Sequence, residues 1–261
     1  MGRALIGGLL RSGTPPGQLS VAESQVAARE AVARDFGITA TDDYAAALAG
    51  AALVVLAVKP QDAATVLQPL AALLTAERPL LISVAAGVRV AALESWCGQG
   101  VPVLRAMPNR PARVGAAATG LFAAPAVSPE QRVAAERVLQ AVGEVFWVPT
   151  EELLDVVTAL SGSGPAYFFL LAELMAEAGT ELGLESAMAQ RLAAATLYGA
   201  GLLARSGDGD LARLREEVTS AGGTTEAALR AFEAANLRAT VRAALVAATQ
   251  RGRELARQTL P

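Results

Sequence analysis

The stretch "GAALVVLAVKPQ" (residues 50–61) decides the fold. Eight apolar residues, Ala51 to Val58, run without a polar interruption to Lys59, and Pro60 stops the run. A half-buried strand alternates apolar and polar residues, whereas an unbroken run marks a strand covered on both faces, as in a parallel sheet between helix layers. Working outward, the same signature recurs. "QLSVAES" (18–24) precedes it, and "RPLLISVAAGV" (78–88), "VPVLRAMPN" (101–109), "AAATGLFAA" (116–124) and "GEVFWVP" (143–149) follow. Helical patterns lie between, as in "QVAAREAVARDFG" (25–37) and the stretch after Pro60 to about Leu74. Strand and helix in alternation predict a doubly wound α/β domain over residues 1–149.

After Pro149 the strand signature stops and long helical patterns run to the C-terminus. Residues 150–261 are expected to form an all-helical second domain. It is rich in Ala, Leu and Gly on several faces. A small bundle apolar nearly all round must bury those faces elsewhere, so a homodimer through this domain is expected.

Composition bounds the chemistry. The 261 residues are 53% hydrophobic and 18% charged, a globular profile. There is no histidine, which removes imidazole-based triads, zinc sites and acids; no metal is expected. The net charge of −3 and the lack of a basic patch argue against nucleic acid. No run of ~20 apolar residues free of breakers or charge is evident, so no membrane span is expected. One cysteine, Cys97, and no recognisable signal peptide point to the cytoplasm.

Three strand ends in succession carry small or turn-forming residues: Ala57, Val58, Lys59 and Pro60; Ala85, Ala86 and Gly87; Met107 and Asn109. Each alone reads as an ordinary turn. Together they leave room for a flat ligand beyond the carboxyl ends of the strands, where open α/β sheets bind. "VTSAGGTTEAALRAF" (218–232) sets Ser220, Gly222, Gly223, Thr224 and Thr225 before a strong helix. It reads either as an anion-binding nest on a helix dipole or as a loop with a Thr N-cap. "ALSGSGPAY" (159–167) interrupts a helix; Pro165 can restart it, capped by Ser163 or Gly164, as a kink near a cofactor or a simple hinge.

The opening "MGRALIGGLLRSG" (1–13) is either a plain helix or the first helix of a dinucleotide-binding domain. In the second reading Gly2 is the third glycine of a G-x-G-x-x-G turn and a preceding strand is missing. Gly7 and Gly8 then serve close packing, and Gly13 ends the helix.

"LAVKPQ", "RAMPNRPARVG", "ALSGSGPAYFF", "GTELGL", "VTSAGGTTEAAL" and "RGREL" resemble, in order and spacing, the pyrroline-5-carboxylate reductase family over essentially the whole chain. The resemblance implies a Rossmann domain followed by a helical dimerisation domain, with dimers often assembled into decamers. It implies reduction of the cyclic imine 1-pyrroline-5-carboxylate to L-proline by hydride from NADPH or NADH. It assigns Gly2, Ser24, Ala57 to Pro60, Ala85 to Gly87, Met107 and Asn109 to the cofactor. It assigns Ser220 and Gly222 to Thr225 to the substrate carboxylate, with the Thr225 hydroxyl toward the ring nitrogen; Thr225 and Ser220 are the candidate catalytic residues. Three positions depart from the family pattern: Arg110 for Thr, Ala221 for Pro and Ala195 for Gln. Glu23 favours a free ribose 2′-hydroxyl while Ser24 and Arg29 could favour a 2′-phosphate, so nucleotide preference stays open. The alternatives are a dimeric paralogue that lost its cofactor turn, or another Rossmann-plus-helical reductase. β-Hydroxyacid dehydrogenases need a lysine in the helical part, and the one lysine here is Lys59.

Overall fold

The computed structural model describes residues 1–207 and 209–258. They form two compact units: residues 1–163 with the C-terminal residues from 248, and residues 164–247. In the first unit the chain runs α1 (Gly2–Arg11), β1 (Val21–Ala22), α2 (Val26–Phe36), β2 (Ala40–Thr41), α3 (Tyr44–Leu48), β3 (Leu53–Leu56), α4 (Ala63–Leu67) and α5 (Ala71–Glu77). It continues through β4 (Leu80–Ser83), α6 (Val90–Cys97), β5 (Val103–Met107), β6 (Ala117–Ala123), α7 (Pro129–Gln140), β7 (Gly143–Trp147) and α8 (Leu153–Val157).

The strands make two sheets, a parallel pair β1–β2 and a five-stranded sheet in the order β3-β4-β5-β6-β7. The expected strands form, and one neighbouring pair departs from the parallel arrangement: β5 and β6 are antiparallel. The physical reason is loop length. Residues 108–116 connect them, and a parallel crossover needs roughly a dozen residues or more. The two faces of the larger sheet are covered separately. Leu56, Leu81 and Val103 pack with Leu67, Leu74, Leu93 and Trp96 on one side. Leu80, Ile82, Leu104 and Leu121 pack with Leu5 of α1 and Ala135 and Leu139 of α7 on the other. All four residues of β4 are buried, Ser83 included, as a strand covered on both faces requires. β7 alternates instead, because it is an edge strand.

The opening helix is close-packed as its glycines imply. A Cβ on Gly8 would lie 2.4 Å from the Ala141 carbonyl oxygen and 2.7 Å from Val142 Cγ1. After the cap residue Ser12, Gly13 at φ +93° donates to Leu10 O, and Thr14 N–H donates to Leu9 O. Those two bonds close the helix end, and only the left-handed glycine geometry permits them without strain.

The compact grouping does not follow the change of sequence character at 149/150, because α8 packs with the sheet. Val157 fills the space left by Gly120, and two ion pairs, Arg105–Glu151 (2.7 Å) and Arg89–Asp155 (2.5 Å), fasten the α8 segment.

The second unit holds α9 (Gly164–Glu181), α10 (Ser186–Ser206), α11 (Leu211–Glu217), α12 (Thr224–Ala234) and the start of α13 (Leu237–Gln258), whose last turns belong to the first unit. α9 and α10 meet through Ala172, Ala176, Ala189 and Ala193, small side chains that let the backbones approach. One element is more apolar than expected. Leu153–Glu181 is long and apolar enough, by length and composition, to cross a membrane. Its α9 portion leaves Phe168, Phe169, Leu170, Leu171, Leu174 and Met175 exposed in the single chain.

Candidate active site

Register places the three expected ligand loops at one edge of the sheet. Leu56 pairs with Ser83 and Ser83 with Arg105, all in parallel. The segments Ala57–Pro60, Ala85–Gly87 and Met107–Asn109 therefore leave three neighbouring strands in the same direction. Ala57 is exposed at this edge, and a Cβ on Gly2 would lie 3.6 Å from its Cβ. No side chain caps the N-terminus of α1 there, so its first N–H groups stay available to an anion. Lys59 is exposed and forms no ion pair among the described residues. Gly87, at φ +77°, lies against Leu255 and Ala256 of α13. Small side chains, a free helix start and a left-handed glycine suit a flat dinucleotide laid against backbone.

The interruption expected at 159–167 takes a definite form. A π-turn, Thr158–Gly162, carries α8 into α9, which starts at Gly164 with Pro165 as its second residue. Ser163 N–H donates to Thr158 O at 2.8 Å. Pro165 has no N–H, so it cannot serve the carbonyl of Ser161 four residues back. Asn109 does so instead: its Nδ2 donates to Ser161 O at 3.0 Å. The same side chain accepts from Ala118 N–H at 3.0 Å through Oδ1. Asn109 is buried, and its amide thus holds the π-turn against β6; its backbone is what remains for a ligand. Met107 also reaches this turn, its Cε 3.0 Å from where a Gly162 Cβ would be.

In the second unit, Ser220 to Gly223 form a tight turn. Gly223 N–H donates to Ser220 O at 3.0 Å, and Gly222 is at φ +71°. A positive φ at the third residue alone makes it a type II turn, with Ala221 at the position that favours proline. The family's Pro-to-Ala departure therefore leaves the turn intact. The N-cap of α12 is Gly223, not a threonine, so capping does not consume the hydroxyls of Thr224 and Thr225. A Cβ on Gly223 would collide with Ser220 Oγ at 2.5 Å, which places that hydroxyl over the turn. The Gly222 N–H donates to Glu226 Oε2 at 2.5 Å. A carboxylate on this backbone N–H is the chemistry expected of an anion-binding turn; the sequence reading passes over Glu226, which lies within the quoted motif, and no motif signals the π-turn.

Comparisons with known proteins agree with the two halves. Residues 151–255 match the pyrroline-5-carboxylate reductase dimerisation family, and residues 1–87 match the coenzyme F420-dependent NADP oxidoreductase family. The chain is 46% identical over 258 residues to the pyrroline-5-carboxylate reductase of Pseudomonas aeruginosa, covering 99% of this chain and 94% of that protein. It is 42% identical over 277 residues to that of Mycobacterium tuberculosis, covering 98% and 93%. Among solved structures, pyrroline-5-carboxylate reductase from Coxiella burnetii superposes with a TM-score of 0.94 at 39% identity, covering 97% of this chain and 94% of that one. The Plasmodium falciparum pyrroline carboxylate reductase, solved with NADP bound, gives 0.82 at 25% identity, covering 98% and 94%.

Proposed function

We infer the working of this protein from one premise: the chain belongs to the pyrroline-5-carboxylate reductase family. It is an NAD(P)H-dependent oxidoreductase that reduces 1-pyrroline-5-carboxylate to L-proline. The observation that carries this is 46% identity along 99% of the chain.

Our assignment of roles divides the labour at residue 150. Residues 1–149 hold the dinucleotide, with Gly2 and the α1 start at the pyrophosphate, Ser24 near the adenosine ribose, and the backbone of Ala57–Pro60, Ala85–Gly87, Met107 and Asn109 along the strand ends. Residues 150–261 dimerise and bind substrate. NAD(P)H, when bound, supplies hydride to the imine carbon. The Gly222–Thr225 backbone and Ser220 take the carboxylate, and binding there requires Glu226 to release the Gly222 N–H. The Thr225 hydroxyl orients the ring nitrogen. A hydride and a proton together turn C=N into CH–NH; the nitrogen arrives protonated or takes its proton through solvent, since the chain has no histidine and an alcohol is a weak acid.

The exposed apolar face of α9 fits a homodimer, and decamers of such dimers extend the same reading. The buried Cys97 thiol fits a reducing compartment, and we place the reaction in the cytoplasm.

The test is imine-dependent oxidation of NADH and NADPH by the purified chain, with light scattering for its assembly. Proline formation at enzymatic rates is the expected result. Its absence in a folded protein that binds nucleotide would favour the non-catalytic paralogue.

A further inference from the structure

The sequence leaves the nucleotide open, because Glu23 opposes a 2′-phosphate while Arg29 invites one. The structure pairs these residues in a way the sequence does not display. Glu23 directly follows β1, and its N–H donates to Thr41 O at 2.9 Å, extending the β1–β2 ladder. That ladder brings Asp42 beside the turn. Arg29, one turn into α2, is only 18% exposed at its side chain. Its Nη1 donates to the Glu23 and Ser24 carbonyls at 2.8 and 2.9 Å. Its Nη2 pairs with Asp42 Oδ2 at 2.9 Å. Glu23 itself folds over the helix start, Oε1 accepting from Gln25 N–H at 3.0 Å.

We propose that this turn selects NADH over NADPH, with Glu23 accepting the ribose 2′-hydroxyl and Asp42 acting through Arg29. Asp42 is a positioning residue: it holds the guanidinium against the turn's own carbonyls and cancels its charge. Glu23, Arg29 and Asp42 together carry one net negative charge. A 2′-phosphate brings up to two more into the same few ångströms, where Coulomb repulsion is strongest. The Ser24 hydroxyl is exposed but offers no countercharge. A hydroxyl, by contrast, gives Glu23 a donor, and acidic residues after the second Rossmann strand do this work. The inference rests on the cofactor reading above and goes beyond it by naming the nucleotide and the residue pair that chooses it.

The experiment measures dissociation constants of NADH and NADPH by calorimetry on the full chain and two variants, without imine substrate. For the unaltered chain NADH is expected to bind at least about tenfold tighter, in line with discrimination by a charged ribose contact. Glu23→Ser narrows that ratio to within about threefold. Asp42→Asn frees Arg29 and tightens NADPH by about three- to tenfold, with NADH and thermal stability nearly unchanged. A merely structural Asp42 would weaken both nucleotides alike, which overturns its role. NADPH binding as tightly as NADH to the unaltered chain overturns the proposal while leaving the cofactor reading standing. Binding of neither nucleotide overturns both.

Discussion

Glu151 meets Arg105 at 2.7 Å in a place nearly closed to water, with their side chains 17% and 6% exposed. The same Glu151 oxygen accepts the Val90 N–H at 2.7 Å, and Arg89 beside it pairs with Asp155. One carboxylate thus ties β5, the start of α6 and the turn before α8. Burial pushes the Arg105 guanidinium below its ordinary value, and the bond to Glu151 works against that shift.

Glu151→Ala leaves Arg105 buried without its partner. We expect a loss of about 3 kcal/mol in urea unfolding, and a smaller loss for Arg105→Met with Glu151→Leu, where no charge is left stranded. Equal losses in the single and double variants would contradict this account.

Gly8→Ala tests the packing of the opening helix. Alanine favours helix over glycine by up to about 1 kcal/mol, but its Cβ would meet the Ala141 carbonyl at 2.4 Å. The clash should prevail, lowering stability by about 2 kcal/mol. A stabilised variant would show that α1 does not pack on the α7–β7 junction.

Ala221→Pro places proline at the second position of the type II turn, where its fixed φ suits the geometry. We expect about 0.5 kcal/mol of added stability, seen as a rise in Tm, with substrate KM little changed. A fall in Tm would mean the turn is of another type.

Thr225→Ala removes the hydroxyl of a half-buried residue that makes no side-chain hydrogen bond shown among the described residues. kcat/KM for the imine should fall about ten- to a hundredfold, while the NAD(P)H dissociation constant stays within about twofold. Unchanged kcat/KM would end the role given to Thr225.

Cys97 responds to alkaline pH. Burial pushes its thiol from 9.0 up to about 11. The unfolded chain therefore loses this proton first, so the folded state's advantage is present below pH 9 and fades toward pH 11. The stability of the unaltered chain should drop by about 2 kcal/mol more than that of Cys97→Ala across that window. Parallel profiles would show that the thiol is not buried.

Several features were legible because their causes are local. The apolar run Leu80–Ile82, bounded by Pro79 and the small-residue turn at Ala85–Gly87, read as a doubly covered strand, and Gly13 marked a helix end by its permitted φ. The turn at Ser220–Gly223 was legible as a glycine-bearing loop before a helix. Other features were not. β2 has two residues, Ala40 and Thr41, too few to show a period. The direction of β6 depended on the length of one connection.

The sequence by itself determined the alternation of strand and helix, the change to helices after Pro149 and the family, since periodicity, turn chemistry and motif spacing are properties of neighbouring residues. The tertiary structure alone decided what the polar side chains do. The Asn109 amide serves the carbonyl that Pro165 abandons; Glu151 takes Arg105; Asp42 takes Arg29. Each of these pairings depends on how strand register and helix placement bring particular atoms within 3 Å, and no local pattern in the chain encodes that distance.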